Sequence, residues 1–160
     1  MTAPLRERPA ARILMVDPAG SVLLFRFVPE IAMAPFWATP GGALDPGEDH
    51  ATAARRELFE ETGLSLDPGP EVARRRARFT TVEGEPVVAD ERYYLLRVPD
   101  RTISRAALTP LELRVMTGLH WWTRAELAAP TEPVFPADIV AMLDAVAPGW
   151  DAREWSSDRG

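Results

Sequence analysis

The sequence contains no cysteine, which removes disulfides, thiolate nucleophiles and thiolate metal sites together. It contains no lysine either, because all 18 basic residues are arginine. A Schiff-base lysine and a lysine-dependent phosphate loop are thereby excluded. No apolar run approaches the roughly 20 residues that cross a bilayer. The start, MTAPLRERPAARILMVD, has no apolar core followed by a small-residue cleavage site, so no signal peptide is expected. The cytoplasm is the expected compartment, with no membrane and no disulfide partner. Positive charge is also in deficit: the formal net charge is −6. That argues against general electrostatic binding to a nucleic-acid polymer.

What remains is 160 residues, 46% of them hydrophobic, enough for one well-buried domain and too few for two. The expected domain is 1–160, with an ordered core over about 10–147 and a looser tail from 148 to 160. Trp150 and Trp155 are the residues available to pin that tail. The runs ARILMVD and SVLLFRFV, separated by PAG, read as a hairpin. PFWATPGG reads as an extended segment that breaks at Pro40, Gly41 and Gly42. Pro46-Gly47 suits a type II turn. A helix is expected from Asp49 as N-cap to Gly63 as the residue that ends it. EVARRRARFTTVE and PVVADERYYLLRV form a second, longer hairpin, and GLHWWT a further strand. Thr123 and Glu126 make a capping-box pattern for a short helix, and Pro136 suits N1 of a last one. The fold class is α+β, with mixed β pairing and about three helices.

The stretch GGALDPGEDHATAARRELFEETGL crowds Glu57, Glu60 and Glu61 into five positions. At 100° per residue, Glu60 lies about 60° to one side of Glu57 and Glu61 about 40° to the other. Ala53 and Ala54 share that sector and are expected to leave open space above it, while Leu58, Phe59 and Ala51 form the side that packs on a sheet. Like charges at these spacings cost an isolated helix roughly 0.2–0.5 kcal/mol per pair. A bound divalent cation reverses the penalty. An oxygen-only ligand set suits magnesium or manganese, whereas the two histidines, His50 and His120, are too far apart to suggest zinc. Three glutamates alone read more simply as a solvated acidic face. The surroundings favour a site: Gly41-Gly42 allows close backbone approach, Arg56 can hold a carboxylate bidentately, and Glu48 can reach back from the preceding loop.

Gly42, five residues, Glu48, seven residues, then Arg56-Glu57-Leu58-Phe59-Glu60-Glu61-Thr62-Gly63-Leu64 resembles the Nudix box, G-x5-E-x7-R-E-U-x-E-E-x-G-U with U a bulky aliphatic. Every fixed position is met. The resemblance implies the Nudix α/β/α sandwich and hydrolysis of a nucleoside diphosphate linked to another group. It implies Glu57 and Glu61 as principal Mg²⁺ ligands, with Mn²⁺ able to substitute, and Glu60 as a further ligand or the base. Gly41 or Gly42 would lend a carbonyl, and Arg56 and Glu48 would orient the carboxylates. Some members take the base from outside the box. Glu112 is the best-placed candidate for that role, ahead of Glu83, Glu85 and Glu91.

Phe27 and Trp37 are candidates for stacking on a nucleobase, with a core role at least as compatible with each. In the pairs Tyr93-Tyr94 and Trp121-Trp122, one member of each is expected to face inward. Arg74, Arg76 and Arg78 read as a solvated strand face, His50 as a helix-start residue and His120 as structural. The expected substrate is a small nucleotide diphosphate derivative. By elimination it is a nucleoside triphosphate of the MutT-like kind, because the family's cues for other substrates are missing: Phe79-Thr80-Thr81 stands where ADP-ribose enzymes tend to carry a proline. ADP-ribose or a nucleotide sugar is the runner-up, and a non-catalytic nucleotide sensor is the reading from another class. The lack of cysteine speaks against a related isoprenoid diphosphate isomerase. A homodimer stays open.

Overall fold

In the computed structural model the described residues are 4–30, 34–81 and 83–152. Strands β1 (Arg6–Val16) and β2 (Val22–Phe27) meet antiparallel at Val16 and Val22, which is the expected hairpin. The Asp17 carboxylate accepts the backbone N–H of Ala19 and of Ser21 and so closes the turn. Beyond that pair the two strands part. β1 takes β4 (Gly41–Ala43) antiparallel and β6 (Pro86–Arg97) parallel along its whole length. β5 (Glu71–Thr80) and β6 form the long second hairpin. β3 (Phe36–Ala38) and β7 (Met116–Trp122) both pair antiparallel with β2, and the two-residue β8 (Val134–Phe135) runs parallel to β3. The result is an eight-stranded mixed sheet.

Four helices flank it among the described residues: α1 (His50–Thr62), α2 (Pro110–Val115), α3 (Arg124–Ala128) and α4 (Ile139–Val146). One more helix is present than the sequence pattern suggested. The missed one, α2, carries the same capping-box signal at Thr109 and Glu112 as the anticipated α3 carries at Thr123 and Glu126. α4 begins at Ile139 with Asp138 as N-cap, so Pro136 is not its first residue. Phe135 is drawn into β8, where its carbonyl accepts the Thr39 N–H at 3.3 Å, and Pro136 is left in the connection. The extended segment breaks after Ala38, at Thr39-Pro40, and Gly41 and Gly42 open strand β4, which pairs with β1 where β3 pairs with β2.

Side chains alternate along β1. Ile13 and Met15 enter one core with Phe25, Leu58 of α1 and Trp121. Leu14 and Val16 enter another with Leu127 of α3, Leu143 of α4 and Trp122. Helices therefore cover both faces of the sheet. For that reason both members of each adjacent aromatic pair, Tyr93 with Tyr94 and Trp121 with Trp122, are buried, where an inward and an outward member were expected.

Trp150 is fully buried in the α4-side core and donates its indole N–H to Asp144 at 3.0 Å. Trp155, the other expected anchor, lies outside the described residues. Trp150→Ala is expected to cost about 3–5 kcal/mol by lost burial and a residual cavity, measurable as a lower midpoint in urea unfolding with an unchanged slope.

Candidate active site

The loop and helix of the glycine-glutamate stretch are set by local rules. The Asp49 carboxylate caps α1 by accepting the Thr52 N–H at 2.7 Å. Gly63, at φ 77°, ends the helix with its N–H on the Phe59 carbonyl. α1 buries Ala53, Ala54, Glu57, Leu58, Glu61 and Thr62. This overturns part of the expected orientation. Ala53 and Ala54 do not leave open space; they pack on Ala11 and Tyr94, and their small size brings the helix close to β1. Phe59, expected to pack on the sheet, is exposed. The acidic face of α1 is the face that meets the sheet.

Glu61 is 1% exposed. Its Oε1 accepts the Gly41 N–H at 3.1 Å, and its Oε2 has no hydrogen-bond partner. Burial, with the nearby charges of Glu57 and Glu112, pushes its carboxyl well above the ordinary value. Glu57, Glu61 and Glu112 each offer an oxygen within 4.8 Å of the others. Glu112 reaches them from α2. Glu60, expected in that set, is turned toward Arg56 at 3.3 Å and stands at its edge. Partial burial, then the charge of Glu57, raises its carboxyl as well.

Arg56 organises the rest. Nε and Nη2 each donate to Glu48 at 2.9 Å, Nη2 also to the Ala43 carbonyl at 3.0 Å, and Nη1 to Glu57 at 2.9 Å. The Glu48 carboxyl is held below its usual range first by Arg56, and Glu48 also accepts the Asp45 N–H. Arg56 thereby ties the loop, the strand β4 and the helix together.

The two glycines are required by space. Gly41 sits at φ 134°, and a Cβ there would meet the Ala11 carbonyl at 2.0 Å. A Cβ on Gly42 would lie 2.6 Å from Glu57 Oε1. Gly42→Ala is expected to push the Glu57 carboxylate aside and weaken divalent-cation affinity about 10–100-fold, read from a Mn²⁺ titration, while far-UV circular dichroism stays unchanged.

The other candidates scatter. Phe27 packs in the α1-side core and stacks on Phe36 at 5.3 Å, on the same face of the sheet as the carboxylates. Trp37 faces the other way: it packs edge-on against Trp122 at 5.2 Å and donates to Glu132 at 3.0 Å. Glu85 is paired with Arg6 and Glu91 with Arg12. Arg74 and Arg76 are exposed and paired with Glu71 and Glu7, and Arg78 is exposed beside them. His50 is the first residue of α1, and His120 is exposed and bonded to Glu126 at 2.9 Å. No helix among the described residues is long and apolar enough to cross a membrane.

The donor set fits a hard divalent cation: three converging carboxylates, all oxygen, with one buried oxygen of Glu61 unpartnered. The family model described as NUDIX domain matches residues 6–143. The chain belongs to that family. Among curated relatives, an RNA pyrophosphohydrolase of Erythrobacter litoralis is 37% identical over 70 residues, covering 44% of this chain and 42% of that protein. This NUDIX chain thus matches less than half the length of such relatives. Among solved structures, a MutT protein from Methanosarcina mazei aligns at TM-score 0.65 and 21% identity, covering 90% of this chain and 97% of that one. A MutT NUDIX hydrolase from Burkholderia pseudomallei aligns at TM-score 0.59 and 24% identity, covering 86% and 96%. Both share the fold described above.

Proposed function

We propose that this NUDIX protein is a Mg²⁺-dependent hydrolase, with Mn²⁺ able to substitute, that cleaves the phosphoanhydride of a nucleoside diphosphate linked to another group. The observation that carries this reading is the buried, unpartnered Glu61 oxygen facing Glu57 and Glu112. Such an arrangement is unfavourable alone and becomes favourable around a cation. When bound, a divalent cation neutralises diphosphate oxygens and lowers the pKa of a water.

The chain's own residues do the rest. Glu57, Glu61 and Glu112 supply oxygen ligands, joined by a carbonyl of Gly41 or Gly42, a reading supported by the Gly41 N–H on Glu61 and the close approach of Gly42 to Glu57. Glu60, with its raised carboxyl, or Glu112 accepts the proton of the attacking water. Arg56 and Glu48 hold Glu57 in place, and Phe27 offers a ring on the same face for the nucleobase. Trp37 is not part of this proposal, because it lies across the sheet. The substrate proposed first is a nucleoside triphosphate, with ADP-ribose or a nucleotide sugar second. The site of action proposed is the cytoplasm. The name of the curated relative adds a phosphoanhydride at an RNA end, although the net charge of −6 disfavours wide contact with the RNA backbone.

The test is release of phosphate, pyrophosphate and nucleoside monophosphate from a panel with Mg²⁺ and with EDTA. The panel holds NTPs, dNTPs, ADP-ribose, nucleotide sugars, dinucleoside polyphosphates and a 5′-triphosphate RNA. Metal-dependent cleavage of one group is the expected result. A protein that cleaves none of them, yet melts at higher temperature with a nucleotide, is a sensor and not a hydrolase.

A further inference from the structure

Helix α2 is six residues long, too short to be stable by itself in water. Only Val115 of the six is buried, and Leu113 is 63% exposed. Its end is held by the Val28 N–H on the Val115 carbonyl at 2.8 Å and by an exposed pair between Arg114 and Glu30. It is held too by its run into β7, where Met116 pairs with Phe27 and the Met116 carbonyl accepts from Arg105 at 2.6 Å. Its start is held by a reciprocal cap. The Glu112 N–H donates to the Thr109 hydroxyl at 3.2 Å, and the Thr109 N–H donates to Glu112 Oε1 at 3.0 Å. The same Glu112 is the third carboxylate beside Glu57 and Glu61. One side chain therefore both closes α2 and completes the cluster.

We infer that Thr109 is a positioning residue for the Glu112 carboxylate, and that folding of α2 is coupled to cation occupancy through that carboxylate. This rests on the cation reading above. Without a cation, Glu57 and Glu61 repel Glu112 and work against the cap. A cation turns that repulsion into attraction and draws Glu112, and α2 with it, into place. The coupling is reciprocal: whatever loosens α2 weakens the cation by the same factor. Because so little of α2 is buried, the loss of its cap is felt in its population and not absorbed by packing. A plain helix cap would behave differently, lowering stability while leaving cation affinity alone.

The test uses nucleotide-free wild type, Thr109→Ala, Thr109→Ser and Glu112→Gln. Mn²⁺ affinity is titrated by electron paramagnetic resonance, and hydrogen exchange of the α2 amides is followed with and without Mg²⁺. Thr109→Ala is expected to weaken Mn²⁺ roughly fivefold, the worth of a lost N-cap. Thr109→Ser, which keeps the hydroxyl, restores wild-type affinity. Mg²⁺ slows α2 exchange in the wild type and not in Glu112→Gln, whose amide oxygen still accepts the Thr109 N–H but carries no charge. Unchanged Mn²⁺ affinity in Thr109→Ala, or α2 exchange that ignores Mg²⁺ in the wild type, overturns the inference alone. A wild type that binds no Mn²⁺ removes the cation reading and this inference with it.

Discussion

Glu61→Gln is expected to melt higher than the wild type in EDTA and lower than the wild type in Mg²⁺. In the metal-free protein Glu61 is a buried carboxylate facing two others, with one oxygen unpartnered. The amide keeps an oxygen for the Gly41 N–H and adds N–H donors that Glu57 and Glu112 can accept. Replacing the charge is therefore worth about 1–3 kcal/mol of stability. The pH dependence follows from the raised carboxyl of Glu61. The folded state holds that proton more tightly than the unfolded chain. The wild type then keeps this part of its stability below the ordinary carboxyl value of about 4.5 and loses it as pH rises through the folded value. The advantage of the variant in EDTA should grow over the same interval. Mg²⁺ stabilises whichever protein binds it, by RT ln(1 + [Mg²⁺]/Kd), so the wild type overtakes. Hydrolysis should fall on the order of 10³-fold in kcat/KM, roughly 4 kcal/mol of lost transition-state stabilisation. Thermal melts in the two buffers decide it: an equal response to Mg²⁺ in both proteins would sink the assignment of Glu61 as a ligand.

Arg56→Ala is expected to damage both stability and activity. Its guanidinium is the common partner of Glu48, Glu57 and Glu60 and of the Ala43 carbonyl. Removing it leaves Glu48 and Glu57, each about one-tenth exposed, without their counter-charge. A loss of about 2–4 kcal/mol is expected, below the full value of a buried pair because Arg56 keeps some contact with solvent. The loss should shrink in acid. Arg56 holds the Glu48 carboxyl low, so that contribution is present above the ordinary carboxyl value and fades as pH falls through the lowered one. Turnover should fall about 10–100-fold, as when a ligand loses its orienting partner. Arg56→Lys should restore little, because one ammonium cannot span acceptors that a planar fork reaches from both edges. A lysine variant with wild-type kcat/KM would show that only the charge matters.

The loop and helix of the box were legible because their determinants are local. Asp49 caps α1, Gly63 ends it, Arg56 is a few residues from Glu48, Glu57 and Glu60, and helical spacing alone puts Glu57 and Glu61 on one face. Both hairpins and the short helix at Thr123 were legible for the same reason. Spacing could name the face of α1 that carries the glutamates, but not say what that face meets. That it meets the sheet follows from Ala53 and Ala54 packing on Ala11 and Tyr94, a contact made only once β6 lies parallel beside β1.

Trp37 illustrates the same limit. It stands a few residues before the glycines, yet strand alternation and the pairing of β3 with β2 send it to the α4 side. Glu112 is the opposite case. Nothing near it in the chain resembles the box, and it arrives beside Glu57 and Glu61 because β7 pairs with β2 and hands α2 back over the α1 face. Local sequence carried the box whose resemblance pointed to the family, the caps of its helix, and the glutamates Glu57 and Glu61 on one face of it. Only the tertiary structure decided which carboxylates converge and which aromatic ring shares their face, because strand register and sheet order are set by non-local pairing.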